Sequence, residues 1–88
     1  MKFFSASIDK NIEKIDLHDF KNSNDALDFL EKELFNLYSE NKKYCKIIHG
    51  IGEGVLVKKV HDFLDKQSIL EFYKVDETGG ATIVIFNY

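Results

Sequence analysis

The chain has 88 residues, enough for one domain around one core. Its residues are 44% apolar and 31% charged, with a formal net charge of −3 carried against twelve lysines and no arginine. That composition excludes a disordered chain, a disulfide scaffold (Cys45 stands alone), a Cys-rich four-ligand zinc module and a polycation held to nucleic acid by bulk charge. Any anion it binds must be met by a local site.

Residues 1–12 carry no clear period and read as an N-terminal arm ahead of one domain over 13–88. Met1-Lys2-Phe3-Phe4 opens as a secretory signal does, but Ser5, Ser7, Asp9 and Lys10 break the run before the apolar stretch of about 7–15 residues that a signal needs. Lys14 to His18 alternates, Ile15 and Leu17 on one face and Asp16 and His18 on the other, which predicts a short strand. Asn22, Ser23 and Asn24 are good helix N-caps, and Asp25 stands where the helix dipole favours an anion. Leu27, Leu30, Leu34, Leu37 and Tyr38 then recur at helical spacing, predicting a helix over 24–40 that Asn41, Lys42 and Lys43 end. Tyr44 to His49 is a second strand running into Gly50-Ile51-Gly52-Glu53-Gly54. A second helix follows over 54–66, with Leu56, Val60, Phe63 and Leu64 as its buried stripe. Ile69 to Val75 is a third strand, Asp76 to Gly80 a turn, and Ala81 to Tyr88 a fourth strand, apolar on both faces and so central or covered. The longest apolar run is of strand length, far below the roughly 20 residues of a spanning helix. With the lone Cys45, which suits a reducing compartment, this predicts a cytoplasmic domain with no membrane partner. The order β-α-β-α-β-β predicts an α/β layer whose first two strands are parallel.

Spacing of two on a strand puts Asp16 and His18 on one face, near the strand's C-terminal end. A parallel second strand carries His49 and the Gly50–Gly54 loop to the same edge, where ligands bind in parallel α/β sheets. A histidine near its ordinary pKa exchanges a proton at neutral pH, and a carboxylate beside it orients it or holds a metal ion. Backbone N–H groups of a glycine loop and a helix N-terminus approach an anion closely. Glu53 works against this, bringing negative charge to the same helix start. The loop reads GxGxG and matches neither dinucleotide fingerprint nor P-loop: Val55 stands where the third fingerprint glycine belongs, and no Gly-Lys-Ser/Thr ending is present.

Each residue also has a plainer structural use. Asp16, His18 and His49 can hydrogen-bond at strand ends, and Gly50, Gly52 and Gly54 can serve a tight strand-to-helix turn. Cys45 reads as a small core residue and His61, mid-helix beside polar positions, as solvated. Lys42, Lys43 and Lys46, with Lys58 and Lys59, read as solvated faces or as a phosphate path.

Taken together, Ile15-Asp16-Leu17-His18, then His49-Gly50-Ile51-Gly52-Glu53-Gly54 opening a helix, then Thr78-Gly79-Gly80 before the last strand, resemble the Smr (small MutS-related) domain family. The family pattern is an LDLHG motif, an HGxG or TGxG motif, and a late glycine turn. The resemblance is nearest the version at the C-terminus of MutS paralogues and covers about residues 13–88. It implies a two-layer α/β sandwich, a mixed four-stranded sheet with two helices, similar to the C-terminal domain of translation initiation factor 3. It implies nicking endonuclease activity on DNA, RNA cleavage, or nucleic-acid or ribosome binding. Carried over residue by residue, Asp16 and His18 are the catalytic candidates, with His49 contributing. Gly50, Gly52, Gly54, Lys58 and Lys59 are the substrate-binding candidates. Two positions depart from the pattern: Asp19 replaces the glycine closing the first motif, and Ile51 stands where lysine is frequent. Each removes a feature suited to a phosphate backbone.

Three functions follow as expectations. The first is a nuclease of DNA or RNA in which His18 acts as general acid or base, Asp16 orients it or binds one divalent metal ion, and His49 with the loop holds the phosphate. The second is a non-catalytic nucleic-acid- or ribosome-binding module. The third is a protein-interaction domain that has lost the phosphate chemistry. The ATPase portion of the MutS paralogues is not in this sequence, so a protein partner supplying an ATPase or targeting role is also expected.

Overall fold

A computed structural model describes residues 10–51 and 54–88. The predicted arm up to Asp9, Gly52 and Glu53 lie outside the described residues. The elements run β1 (Glu13–Asp16), α1 (Ser23–Ser39), β2 (Tyr44–Ile48), α2 (Val55–Leu64), β3 (Leu70–Val75) and β4 (Ala81–Phe86). The strands form one sheet in the order β1-β2-β4-β3. β1 and β2 are parallel, as a helical crossover requires, and β4 is antiparallel to both β2 and β3. This is the mixed four-stranded α/β layer expected from the sequence. The fully apolar fourth strand is central, and all six of its residues are buried.

Local chemistry sets the helix boundaries. The Asn22 side chain accepts the Asn24 N–H at 2.7 Å and so caps α1. At the other end Asn41 takes a left-handed φ of 62°. Its N–H donates to the Tyr38 carbonyl at 3.0 Å and that of Lys42 to Leu37 at 3.1 Å, the paired bonds of a Schellman cap. α2 starts from Gly54, whose φ of 84° suits glycine and few others.

Both helices cover one face of the sheet. Leu30 and Leu34 of α1 and Val60 and Leu64 of α2 join Ile15, Leu17, Ile47, Val84 and Phe86 in a single core. Cys45 is buried in this layer, and burial pushes its thiol up to about 12, so it is a packing residue and not a nucleophile. The opposite face, free of helices among the described residues, has a smaller cluster of Ile12, Ile83 and Ile85 with Tyr44 against it. Strand register sets out that face in rows. Lys14 lies beside Lys46, Lys46 beside Ile83, and Ile83 beside Lys74. One step further along, Asp16 lies beside Ile48 and Ile48 beside Ala81. No helix among the described residues is long and apolar enough to cross a membrane.

Candidate active site

The site begins where β1 ends. Leu17 turns into the helix-side core and its N–H donates to the Ile48 carbonyl at 2.7 Å, holding the β1 end against β2. Strand alternation therefore turns Asp16 and His18 to the side opposite the helices. Asp16 Oδ1 accepts the backbone N–H of His18 at 3.1 Å and also the ring Nδ1–H of the same residue. A two-residue loop of this kind locks the imidazole to the carboxylate and directs Nε2 outward. There it meets Oδ1 of Asp19, 3.1 Å away. Asp19 is 88% exposed and His18 half exposed, so both remain in contact with water.

The charges follow from this geometry. The Asp16 hydrogen bond, then the fields of Asp16 and Asp19, raise the His18 pKa above its ordinary value. Hydrogen bonds from the His18 ring and backbone lower that of Asp16. The pair is thus imidazolium and carboxylate over more of the pH range than either group alone would be.

Gly50 closes the site from the side of β2. The Cβ of His18 lies 3.7 Å from where a Gly50 side chain would begin, and Gly50 has a φ of 81°. A side chain there would be strained by the left-handed backbone, while its Cβ would meet His18 only at ordinary van der Waals distance. The Gly50 N–H is already spent: it and the His49 N–H donate to the Gly80 carbonyl at 2.9 and 3.1 Å. Gly50 therefore offers no free N–H to an anion, and glycine suits it through its positive φ.

His49 points the other way. Only 5% exposed, its ring lies on the helix side of the sheet. Nδ1 donates to the Gly50 carbonyl at 2.9 Å, which leaves Nε2 an acceptor in the neutral ring. Thr82, fully buried, donates its hydroxyl to that Nε2 at 2.9 Å and accepts from His61 Nε2, also at 2.9 Å. The proton order His61 to Thr82 to His49 to Gly50 carbonyl satisfies every group in the chain. His61, expected in solvent, is instead partly buried in this chain, and burial first and His49 second lower its pKa. Thr82 was not foreseen as a site residue. Its signal was a single polar residue in an otherwise apolar central strand, which needs a buried partner.

The sheet thus separates the predicted residues. Asp16, His18 and the Gly50 backbone meet at one edge, while the His49 ring lies behind them. Gly54 stands at the α2 start, and Gly52 is outside the described residues. Lys58 and Lys59 lie on α2 and reach Asp62 at 3.5 Å and the Ser23 hydroxyl at 2.9 Å. Two other lysines, Lys14 and Lys46, line a shallow groove of about 550 Å3 with His18 on the face opposite the helices. Lys14 was not singled out from the sequence, although it alternates in step with Asp16 and His18.

A metal ion would depend on few ligands. Among the described residues no three His, Cys, Asp or Glu side chains come together as a metal-holding group. Asp16 and Asp19 are the oxygens at hand. Oδ1 of each is already turned to the His18 ring.

A small two-layer α/β domain with a carboxylate-held histidine at the end of its first strand is the class these features define. The Smr domain family model matches residues 15–87, and the chain belongs to that family. It is 38% identical over 92 residues to the endonuclease MutS2 of Borreliella burgdorferi, a match covering 94% of this chain and 12% of that protein. It is 36% identical over 63 residues to the endonuclease MutS2 of Aquifex aeolicus, covering 67% of this chain and 8% of that protein. The chain therefore spans only a small fraction of the length of these relatives. The crystal structure of the Smr domain of Thermus thermophilus MutS2 superposes with a TM-score of 0.81 at 20% identity, over 88% of this chain and 100% of that one, which establishes the shared fold.

Proposed function

We propose that this domain is a nucleic-acid nicking endonuclease, hydrolysing phosphodiester bonds in DNA or RNA, with His18 as its proton-transfer group. The observation that supports this most is the Asp16–His18 pair, held from Asp16 Oδ1 and opening on the same groove as Lys14 and Lys46. Similarity to endonucleases over nearly the whole chain is consistent with it.

The raised pKa gives His18 more of its acid form at neutral pH. In the proposed step a water oxygen bonds to phosphorus and the bond to the leaving oxygen breaks. The proton on His18 Nε2 passes to the leaving oxygen, and the water's surplus proton goes to solvent. Asp16 holds the ring in the tautomer that directs Nε2 outward and stabilises its charged form. His49 acts through the loop: its bond to the Gly50 carbonyl keeps Gly50 against His18. A cytoplasmic location and a partner supplying ATPase or targeting functions belong to the same reading.

Asp19 on His18 Nε2 favours a second reading, a non-catalytic nucleic-acid-, ribosome- or protein-binding module. The test is cleavage of defined DNA and RNA by the purified domain, with and without divalent metal, in wild type, Asp16→Ala, His18→Ala and Asp19→Gly. Under the nuclease reading, cleavage falls at least about a hundredfold in the first two variants. It rises in Asp19→Gly, which frees Nε2. Equal cleavage by wild type and His18→Ala would remove the assignment, and no cleavage even by Asp19→Gly would leave the binding module.

A further inference from the structure

The groove beside His18 has two kinds of lining. At one end lie Lys14 and Lys46, side by side on adjacent strands about 4.8 Å apart. Lys14 has no acidic partner among the described residues, and Lys46 meets Asp76 only at 3.9 Å. Asp76 Oδ1 accepts the N–H and the hydroxyl of Thr78 at 3.1 and 2.6 Å, and its Oδ2 is the atom that faces Lys46. At the other end, next to His18, Ile48, Ile51 and Ala81 give an apolar floor, with Asp76 and Thr78 also in the lining. Ile51 is 70% exposed and lies over Gly80, where its Cγ1 would be 3.5 Å from an added Cβ.

We propose that this groove binds a single nucleic-acid strand, with phosphates on Lys14 and Lys46 and an unstacked base against Ile51, placing the adjoining phosphodiester at His18. The proposal rests on the nucleic-acid reading above and specifies its substrate. In a duplex the base faces are stacked against one another, and a protein meets only phosphates and base edges. An apolar side chain exposed beside the reactive histidine gains little from that surface. A single strand presents open base faces that pack on apolar side chains while its phosphates follow cations. The volume of about 550 Å3 lies within the range of sites that hold one small-molecule-sized ligand, here a nucleotide unit of the strand. Lys14 gives this groove a cation with no acidic partner among the described residues, whereas Lys42 and Lys58 face Glu13 and Asp62 and Lys59 donates to the neutral Ser23 hydroxyl.

The test is fluorescence anisotropy of labelled oligothymidylate, oligouridylate and a mixed-sequence duplex of equal length, titrated with the 88-residue chain over a range of salt. Single strands should bind about fivefold to tenfold tighter than the duplex, the lower end of what one base contact contributes. Two phosphate contacts predict a log–log salt slope near −1.4, and Lys14→Gln should reduce it by about 0.7. Ile51→Asp should abolish the preference for single strands, and Lys32→Gln on α1 should change neither quantity. Duplex bound as tightly as single strand, or a Lys14→Gln slope equal to wild type, would overturn the groove assignment while leaving a nucleic-acid domain. Absence of binding to all three probes would overturn the nucleic-acid reading and this proposal with it.

Discussion

The arrangement of His18 between two carboxylates sets how activity should respond to acid and base. Asp16 and Asp19 raise its pKa, so the acid form persists above the ordinary histidine value of about 6.5. A general acid works while protonated, so activity should be present below that raised pKa and fall as pH climbs through it. Asp16→Asn removes the largest cause and should move the alkaline limb of the pH–rate profile down towards 6.5, with a lower maximum. A limb that stays in place would show that Asp16 does not set the protonation of His18. The same shifts favour the fold between two limits. The raised histidine contributes fully below about 6.5 and is lost as pH rises through its folded value, while the lowered Asp16 is lost as pH falls through its own. Sequence spacing alone placed Asp16 and His18 on one face. It did not show that Asp19 returns to Nε2, because that contact depends on the bend after β1.

At the scale of elements, alternation and helical period locate all six, with ends within one or two residues of those observed. Helix ends depend on single residues, and Asn41 tests this. Its left-handed φ of 62° is tolerable because its short polar side chain suits that region. Asn41→Ala should cost about 1 kcal/mol, a fall in Tm of roughly 4–8 °C for a domain this small. Asn41→Gly should cost little or stabilise. Thermal melts followed by circular dichroism distinguish the two, and an unchanged Tm for alanine would mean the cap contributes nothing. Alternation put Ile15 and Leu17 on one face of β1, whereas in β4, apolar on both faces, only packing decided that Val84 and Phe86 meet the helices. That β4 inserts between β2 and β3 was legible only as a central or covered strand, since apolarity on both faces does not name the neighbours.

Across the whole molecule, the two layers are linked through one polar chain. Thr82 of the central strand joins His49 at the end of β2 to His61 of α2, and through His49 it holds Gly50 against His18. Thr82→Val keeps the shape but leaves His49 Nε2 without a donor and His61 Nε2 without an acceptor. The expected loss is about 1–3 kcal/mol, read by chemical denaturation. The partly buried His61 adds a pH signature. Its pKa is lowered, so its contribution to stability is present above about 6.5 and is lost as pH falls through the folded value. His61→Gln should flatten that acid limb. The charged and polar groups facing His61 are His49, Thr82 and Tyr73 from the sheet side and Asp62 and Asp65 from its own helix and cap, the two acids opposing the shift.

The amino-acid sequence by itself determined the elements, their order, an α/β layer with its first two strands parallel and the shared face of Asp16 and His18, because period, caps and strand alternation are local properties. The family followed from three short motifs in the right order. Only the tertiary structure decided which side of the sheet each histidine faces. His49 and His18 both end strands at the same edge, yet the sheet lies between their rings. Tertiary packing also gathered Lys14, Lys46 and Ile51 into one groove from β1, β2 and the glycine loop, and turned Lys58 and Lys59 away from it. The net charge of −3 excluded bulk attraction to nucleic acid. The local positive row on the face opposite the helices, set by strand register that no single segment encodes, is where an anion can still be met.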